Sequence, residues 1–217
     1  MPVFFQHRFS GAEIRVWKIE EEADFFQETL PVFPNLPAHP VRRRQSLAAR
    51  FLLQQQCPDF PFEEWTLTDS GRPYLSSAPL QFSLSHANLF AAVITHPHLP
   101  VGIDIEQVTE RIHRVRKKYL SEAEERIIGS MADHSSAQAL TAFFTLAWSV
   151  KEAAFKALHQ TGVDFIQDLP LVAIHTLADG WQIELGGRAT ALEVHAGLIG
   201  EVCWAACVEK CPMTDVR

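Results

Sequence analysis

The chain has 217 residues, 47% of them hydrophobic, which is enough to bury a sizeable core and too apolar for a disordered chain or a coiled coil. Nineteen Lys and Arg against 26 Asp and Glu give a formal net charge of −7, which argues against a bulk-basic nucleic-acid binder. No stretch approaches the roughly 20 apolar residues that cross a bilayer, and MPVFFQHRFSGAE lacks the marks of a signal peptide, so a cytoplasmic protein without a membrane partner is expected.

EIRVWKI (13–19) reads as a strand leading into a short helix around 20–30. Four prolines make PVFPNLPAHP a loop. From Val41 the pattern VRRRQSLAARFLLQQQ is helical, with Leu47, Phe51 and Leu52 on one side. Its arginines stand near the helix start, where the dipole does not favour them; either an outside anion or plain solvation accounts for that. Short strands follow at WTL (65–67), LQFSLSH (80–86) and LFAAVITH (89–96), with a turn at DSGRPY and a tight hairpin at Ala87-Asn88. VGIDIEQV (101–108) alternates, putting Val101, Ile103 and Ile105 on one face and Asp104 and Glu106 on the other.

Helices are predicted at 112–119, 122–131 and 137–159; the second carries a capping box from Ser121 to Glu124, and the third stops at Gly162. LVAIHTLADGWQIEL (171–185) is a hairpin turning at Asp179-Gly180, and TALEVH and EVCWAACVE are further strands. Both parts thus read as a leading strand, helices, then antiparallel strands. The expected fold is α+β, with two similar halves (1–100 and 101–217), each a small antiparallel sheet packed with helices.

Cys203, Cys207 and Cys211 recur every four residues in a Val-, Ala- and Trp-rich segment, and Cys57 stands alone. That spacing reads as buried or idle thiols, not as a zinc site. His96 and His98, between prolines, read as loop histidines.

Chemistry concentrates at Asp104-x-Glu106 and at Lys151-Glu152-x-x-x-Lys156. Carboxylates at i and i+2 of a strand point the same way, about 7 Å apart at the backbone, and both can lean toward one hard cation. Glu152 and Lys156 share a helix face within AFFTLAWSVKEAAFKALH, where an unpaired buried charge would be costly. They suit a further metal carboxylate and an ammonium for a phosphate. Lys151, about 100° round the helix from Glu152, is expected to face water. A solvated strand face and a surface ion pair are the plainer readings of the same residues. Upstream, the turn at Gly71, Arg72 and Pro73, together with Ser85 and His86 at a strand end, offers polar groups for phosphate oxygens, as do Arg43, Arg44 and Arg50.

SGRP (70–73), FSLSH (82–86), VGIDIE (101–106), YLSEAE (119–124) and WSVKEAAFKAL (148–158) occur in this order, and together they resemble the 4′-phosphopantetheinyl transferases of the pseudo-dimeric, surfactin-synthetase-activating type. The resemblance implies Asp104, Glu106 and Glu152 as magnesium ligands, with manganese also open. It implies Lys156 at the pyrophosphate of coenzyme A, Ser85 and His86 at its phosphates, and Gly71, Arg72 and Pro73 beside the adenine, with Arg replacing the usual Lys. Two positions depart from the family pattern: Ala87-Asn88 follows the Ser-His pair, and Gln45 falls where an arginine is expected. Arg43, Arg44 and Arg50 therefore all stay open as 3′-phosphate ligands.

The implied reaction is transfer of 4′-phosphopantetheine from coenzyme A to a serine of an apo acyl or peptidyl carrier protein, a holo-carrier-protein synthase activity. Asp104, Glu152 and Lys156 would be catalytic, with Glu152 taking the serine proton. The implied protein is a monomer with no nucleic-acid partner. Alternatives are another magnesium-dependent transfer on a nucleotide, or a noncatalytic coenzyme A or carrier-protein binding module. Nine of the 19 basic residues fall in two short segments, among them Arg42, Arg111, Arg114, Arg116, Lys117 and Lys118, which read as solvated helix faces or as a docking face for an acidic carrier.

Overall fold

Residues 4–33, 36–68, 71–77, 79–131 and 136–210 are described by a computed structural model of the chain. β1 (Phe5–Phe9) pairs with β2 (Ala12–Lys18), whose apolar residues alternate, and α1 (Ala23–Thr29) and α2 (Pro40–Gln56) follow. The small ribbon of β3 (Trp65–Leu67) and β4 (Pro73–Leu75) precedes β5 (Gln81–Ala87) and β6 (Phe90–His96). Then come β7 (Val101–Gln107), α3 (Ile112–Val115), α4 (Glu122–Met131) and α5 (Ala137–Leu158). The strands β8 (Leu171–Leu177), β9 (Gly180–Leu185), β10 (Leu192–Ile199) and β11 (Val202–Glu209) complete the described chain.

The α+β expectation holds. One antiparallel sheet runs β1-β2-β6-β5 and another β7-β11-β10-β9-β8, with β3-β4 apart. Period-2 alternation decides the layering. Ile14 and Val16 of β2, Ile94 of β6, Ile103 and Ile105 of β7, and Trp204 of β11 form one buried cluster between the two sheets. The intervening residues face outward: Trp17 and Val93 pack with Leu47, Phe51 and Leu52 of α2, while Cys203 and Cys207 pack with Val150 and Ala154 of α5. Two helices thus cover the outer faces of a double sheet. The thiols at 203 and 207 are core side chains, as their spacing implied; Cys211 lies outside the described residues.

Several sequence expectations change. β1 was hidden by its polar residues, although the Ser10-Gly11 turn that joins it to β2, with φ of 46° and 80°, is a hairpin signal. The predicted helix at 112–119 is only α3, followed by a 3₁₀ turn over Arg116–Lys118. α5 stops at Leu158 because His159, not Gly162, takes the left-handed position at φ 57°. His96 ends β6 and is buried, its Nδ1 accepting from the backbone N–H of Leu99 at 2.7 Å.

β7 departs most. Its polar face does not meet water: Val101 through Ile105 are all buried, because α5 covers the side carrying Gly102, Asp104 and Glu106. Gly102 permits this closeness, since a Cβ there would stand 2.0 Å from the Ala153 carbonyl oxygen. Lys151 is corrected too. It is 0% exposed, donating to Glu124, to the Tyr119 carbonyl at 2.6 Å and to the Phe165 carbonyl at 2.7 Å. An ammonium among backbone carbonyls and a carboxylate is satisfied where water cannot reach.

Candidate active site

The site lies where β5, β7 and α5 meet. β5 is the edge of the first sheet and β7 the edge of the second, and two serines stitch them together. The Ile103 N–H donates to Ser83 Oγ and the Ile105 N–H to Ser85 Oγ, each at 3.3 Å. Ser85 Oγ in turn donates to Asp104 Oδ1 at 2.9 Å. From α5, Lys156 Nζ donates to the same Oδ1 at 2.7 Å, to the Ile103 carbonyl at 2.9 Å and to Ser85 Oγ at 3.4 Å. Three predicted site residues thus form one knot. Ser85 is largely committed to Asp104, which its place at a strand end did not reveal.

Asp104 is only 5% exposed, and its other oxygen, Oδ2, is buried without a hydrogen-bond partner among the described residues. Glu106 accepts from Trp148 Nε1 at 3.4 Å. Burial, and then the Asp104 charge, push the Glu106 carboxyl up to about 7. Glu152 is raised by burial and then by Asp104, with Lys156 pulling the other way. Three mutually repelling carboxyls, one with an unmet buried oxygen, share a single ammonium. In kind this donor set fits a hard divalent cation. Among the described residues, no three His, Cys, Asp or Glu side chains are already gathered closely enough to hold one.

Beyond Lys156 opens a cleft of about 700 Å³, lined by Arg50, Arg72, His86, Lys156 and the aromatic rings of Trp65, Phe82 and Phe155. No Asp or Glu lines it among the described residues. Gly71, Arg72 and Pro73 sit in its wall on the β3-β4 turn, closed by the Gly71 N–H donating to the Thr68 carbonyl at 2.8 Å; Gly71 needs its φ of 80° there. Ser70 lies outside the described residues. Burial, with the charges of Lys156, Arg42 and Arg50, lowers His86, so its imidazole is neutral near pH 7.

The three open arginines separate. Arg43 bonds the Pro37 carbonyl at 3.3 Å and Arg44 pairs with Glu22 at 3.5 Å; neither lines the cleft. Arg50 does, its guanidinium lying 4.9 Å from the Phe33 ring centre and 4.8 Å from that of Trp65. The two departures from the family pattern touch: Gln45 Nε2 donates to the Asn88 carbonyl at 2.7 Å, and Asn88 Nδ2 donates to Gln107 Oε1 at 2.7 Å. Of the second basic segment, Arg111, Arg114, Lys117 and Lys118 are exposed. Arg116 instead holds Glu125 at 3.2 Å and the His113 carbonyl at 2.6 Å.

Comparison with known proteins converges on the same elements. The family model described as the 4′-phosphopantetheinyl transferase superfamily matches residues 100–207, which include β7 and α5. A 4′-phosphopantetheinyl transferase gsp from Aneurinibacillus migulanus is 31% identical over 88 residues, covering 41% of this chain and 35% of that protein, so the match spans about a third of the relative's length. With the carboxylate strand and the Glu-Lys helix both inside the matched region, the chain belongs to the 4′-phosphopantetheinyl transferase superfamily.

Proposed function

We propose that this protein transfers the 4′-phosphopantetheine group of coenzyme A to a serine hydroxyl of an apo carrier protein. The observation that carries this reading is a cation- and aromatic-lined cleft, without an Asp or Glu among its described lining residues, that ends on a cluster of three carboxylates, with Lys156 at the junction. A nucleotide with phosphates fits such a cleft: flat rings meet Trp65, Phe82 or Phe155, and phosphates meet Lys156, Arg50 and the neutral His86. Ser85 and the turn at Gly71, Arg72 and Pro73 complete that wall, within residues 1–100. Residues 101–217 bring the acidic strand and the helix.

Asp104, Glu106 and Glu152 would hold a divalent cation, magnesium or manganese. When bound it supplies positive charge at the phosphoryl oxygens and the leaving phosphate. In the reaction the carrier serine oxygen forms a bond to the β-phosphorus. The bond from that phosphorus to the bridging oxygen breaks, and 3′,5′-adenosine diphosphate leaves. Glu152, its carboxylate basicity increased by burial, takes the serine proton. Lys156 offsets negative charge on the leaving phosphate while its helix holds Glu152 on the same face. Exposed Arg111, Arg114, Lys117 and Lys118 form the face that receives an acidic carrier.

The test is direct. The protein is incubated with coenzyme A, magnesium and apo forms of fatty-acid, polyketide and nonribosomal-peptide carriers, and each carrier is weighed by mass spectrometry. A phosphopantetheine adduct on the carrier serine is expected; no adduct on any carrier, with magnesium or manganese, overturns the reading.

A further inference from the structure

The cleft is not closed at the end away from Lys156. It continues into a second hollow of about 520 Å³, and the two share Leu67, Arg72, Pro73, Phe82 and His159 in their walls. They meet where the Gly71-Arg72 turn faces the C-terminal end of α5. His159 stands at that junction three residues beyond Lys156, hence about 4.5 Å further along the helix axis. Its backbone is left-handed at φ 57°, a conformation in which helices usually end on glycine. A non-glycine residue at such a position is uncommon, and this one lines a cavity.

The chemistry of the junction is specific. Burial, with the Arg72 charge adding to it, pushes His159 down to about 4, so the imidazole is neutral near pH 7. A neutral imidazole offers one donor and one acceptor side by side with an apolar ring. Arg72 contributes a guanidinium and Phe82 an aromatic face, and no acidic residue lines the second hollow among the described residues. This combination suits an uncharged heteroaromatic ring with polar edges better than it suits another phosphate.

We propose that His159 completes the base subsite whose other wall the family resemblance already implies at Gly71, Arg72 and Pro73, its imidazole hydrogen-bonding the edge of a purine. The proposal rests on the coenzyme A reading above and adds a base-recognising residue supplied by the second half. Phosphates anchored at Lys156 then place the base beyond the helix end, within reach of His159. His159 in this role contacts the ligand and takes no part in proton transfer.

The test compares wild-type protein with His159→Gly, a change that suits the left-handed backbone and so leaves the helix end unstrained. Dissociation constants are measured calorimetrically for two probes, adenosine 3′,5′-bisphosphate and inorganic pyrophosphate. The variant is expected to weaken adenosine 3′,5′-bisphosphate about tenfold, the effect of one lost hydrogen bond, and to change pyrophosphate less than about twofold. Equal weakening of both probes, or of neither, overturns the base subsite while leaving the coenzyme A reading intact. Failure of the wild type to bind adenosine 3′,5′-bisphosphate at all overturns the underlying reading, and the subsite with it.

Discussion

Gly102→Ala tests whether the closeness of β7 and α5 is what builds the site. The added Cβ would stand 2.0 Å from the Ala153 carbonyl oxygen and 2.8 Å from the Ala157 nitrogen. Both obstacles are helix backbone, so no side chain can swing aside. Relief to the 3.0 Å that Cβ atoms rarely undercut requires the strand and helix to part by about 1 Å. β7 is also held in register with β11, Gly102 opposite Cys207, so the strand cannot shift alone. Asp104 lies two residues along from Gly102, and Lys156 lies between Ala153 and Ala157; their 2.7 Å contact would open beyond hydrogen-bonding range. Overpacking of this kind costs about 1–3 kcal/mol, and a displacement near 1 Å at reacting groups costs about 10²-fold in rate. Urea unfolding gives the first quantity, and turnover of coenzyme A on an apo carrier at saturation gives the second. A variant with wild-type stability and wild-type turnover would refute the reasoning.

Lys151→Met should destabilise the fold by about 3–5 kcal/mol in urea unfolding, because it leaves the Glu124 carboxylate buried without its cation; adding Glu124→Leu should recover part of that loss, and a loss under about 1 kcal/mol, or strict additivity, would contradict the buried pair. Glu152→Gln should lower turnover by about 10²–10⁴-fold while coenzyme A affinity, measured by calorimetry, stays close to wild type. Loss of affinity with normal turnover at saturation would remove Glu152 from the role of base. Reversal of the exposed Arg114 and Lys117 to Glu should raise the apparent KM for the carrier more than that for coenzyme A, and equal effects would argue against the docking face. Arg116 is unsuited to that experiment, since it braces Glu125 and its reversal would perturb α4.

The motifs on β7 and α5 were legible because local pattern and chemistry agree there. Asp104 and Glu106 alternate with apolar residues, and Glu152 and Lys156 share one helical face. What the pattern could not carry was which elements would cover one another. The same alternation describes a solvated strand face and a face sealed by a helix, and only the packing of α5 on Gly102 distinguishes them. Lys151 failed for a related reason. Its helical angle is correct, but Glu124 and the carbonyls that receive it lie on other segments, and no local rule brings them together. His159 was invisible for the opposite reason, since Gly162 offered a conventional stop three residues later.

The two parts of the site are built with different stiffness, and that difference bears on what substitutions they tolerate. Around the carboxylates, the Gly102 contact, the Ser83 and Ser85 bonds to β7 and the Lys151–Glu124 pair all fix β7, α5 or their junction. Any displacement there strains several buried contacts at once, which is the rigidity that positioning of reacting groups demands. Around the far end of the cleft the walls are a short turn at Gly71-Arg72, a three-residue strand on each side of it, and a helix terminus at His159. The three-residue ladder of β3 and β4 pairs far fewer residues than the seven that register β7 on β11. On the proposed reading, an Arg in place of Lys at position 72, or an imidazole beyond the helix end, would change the ligand's surroundings without moving Asp104, Glu152 or Lys156. The net charge of −7 fits the same division: Asp104, Glu106 and Glu152 gather at the end proposed to react, while among the described residues the cleft walls proposed to hold the anionic substrate carry no Asp or Glu.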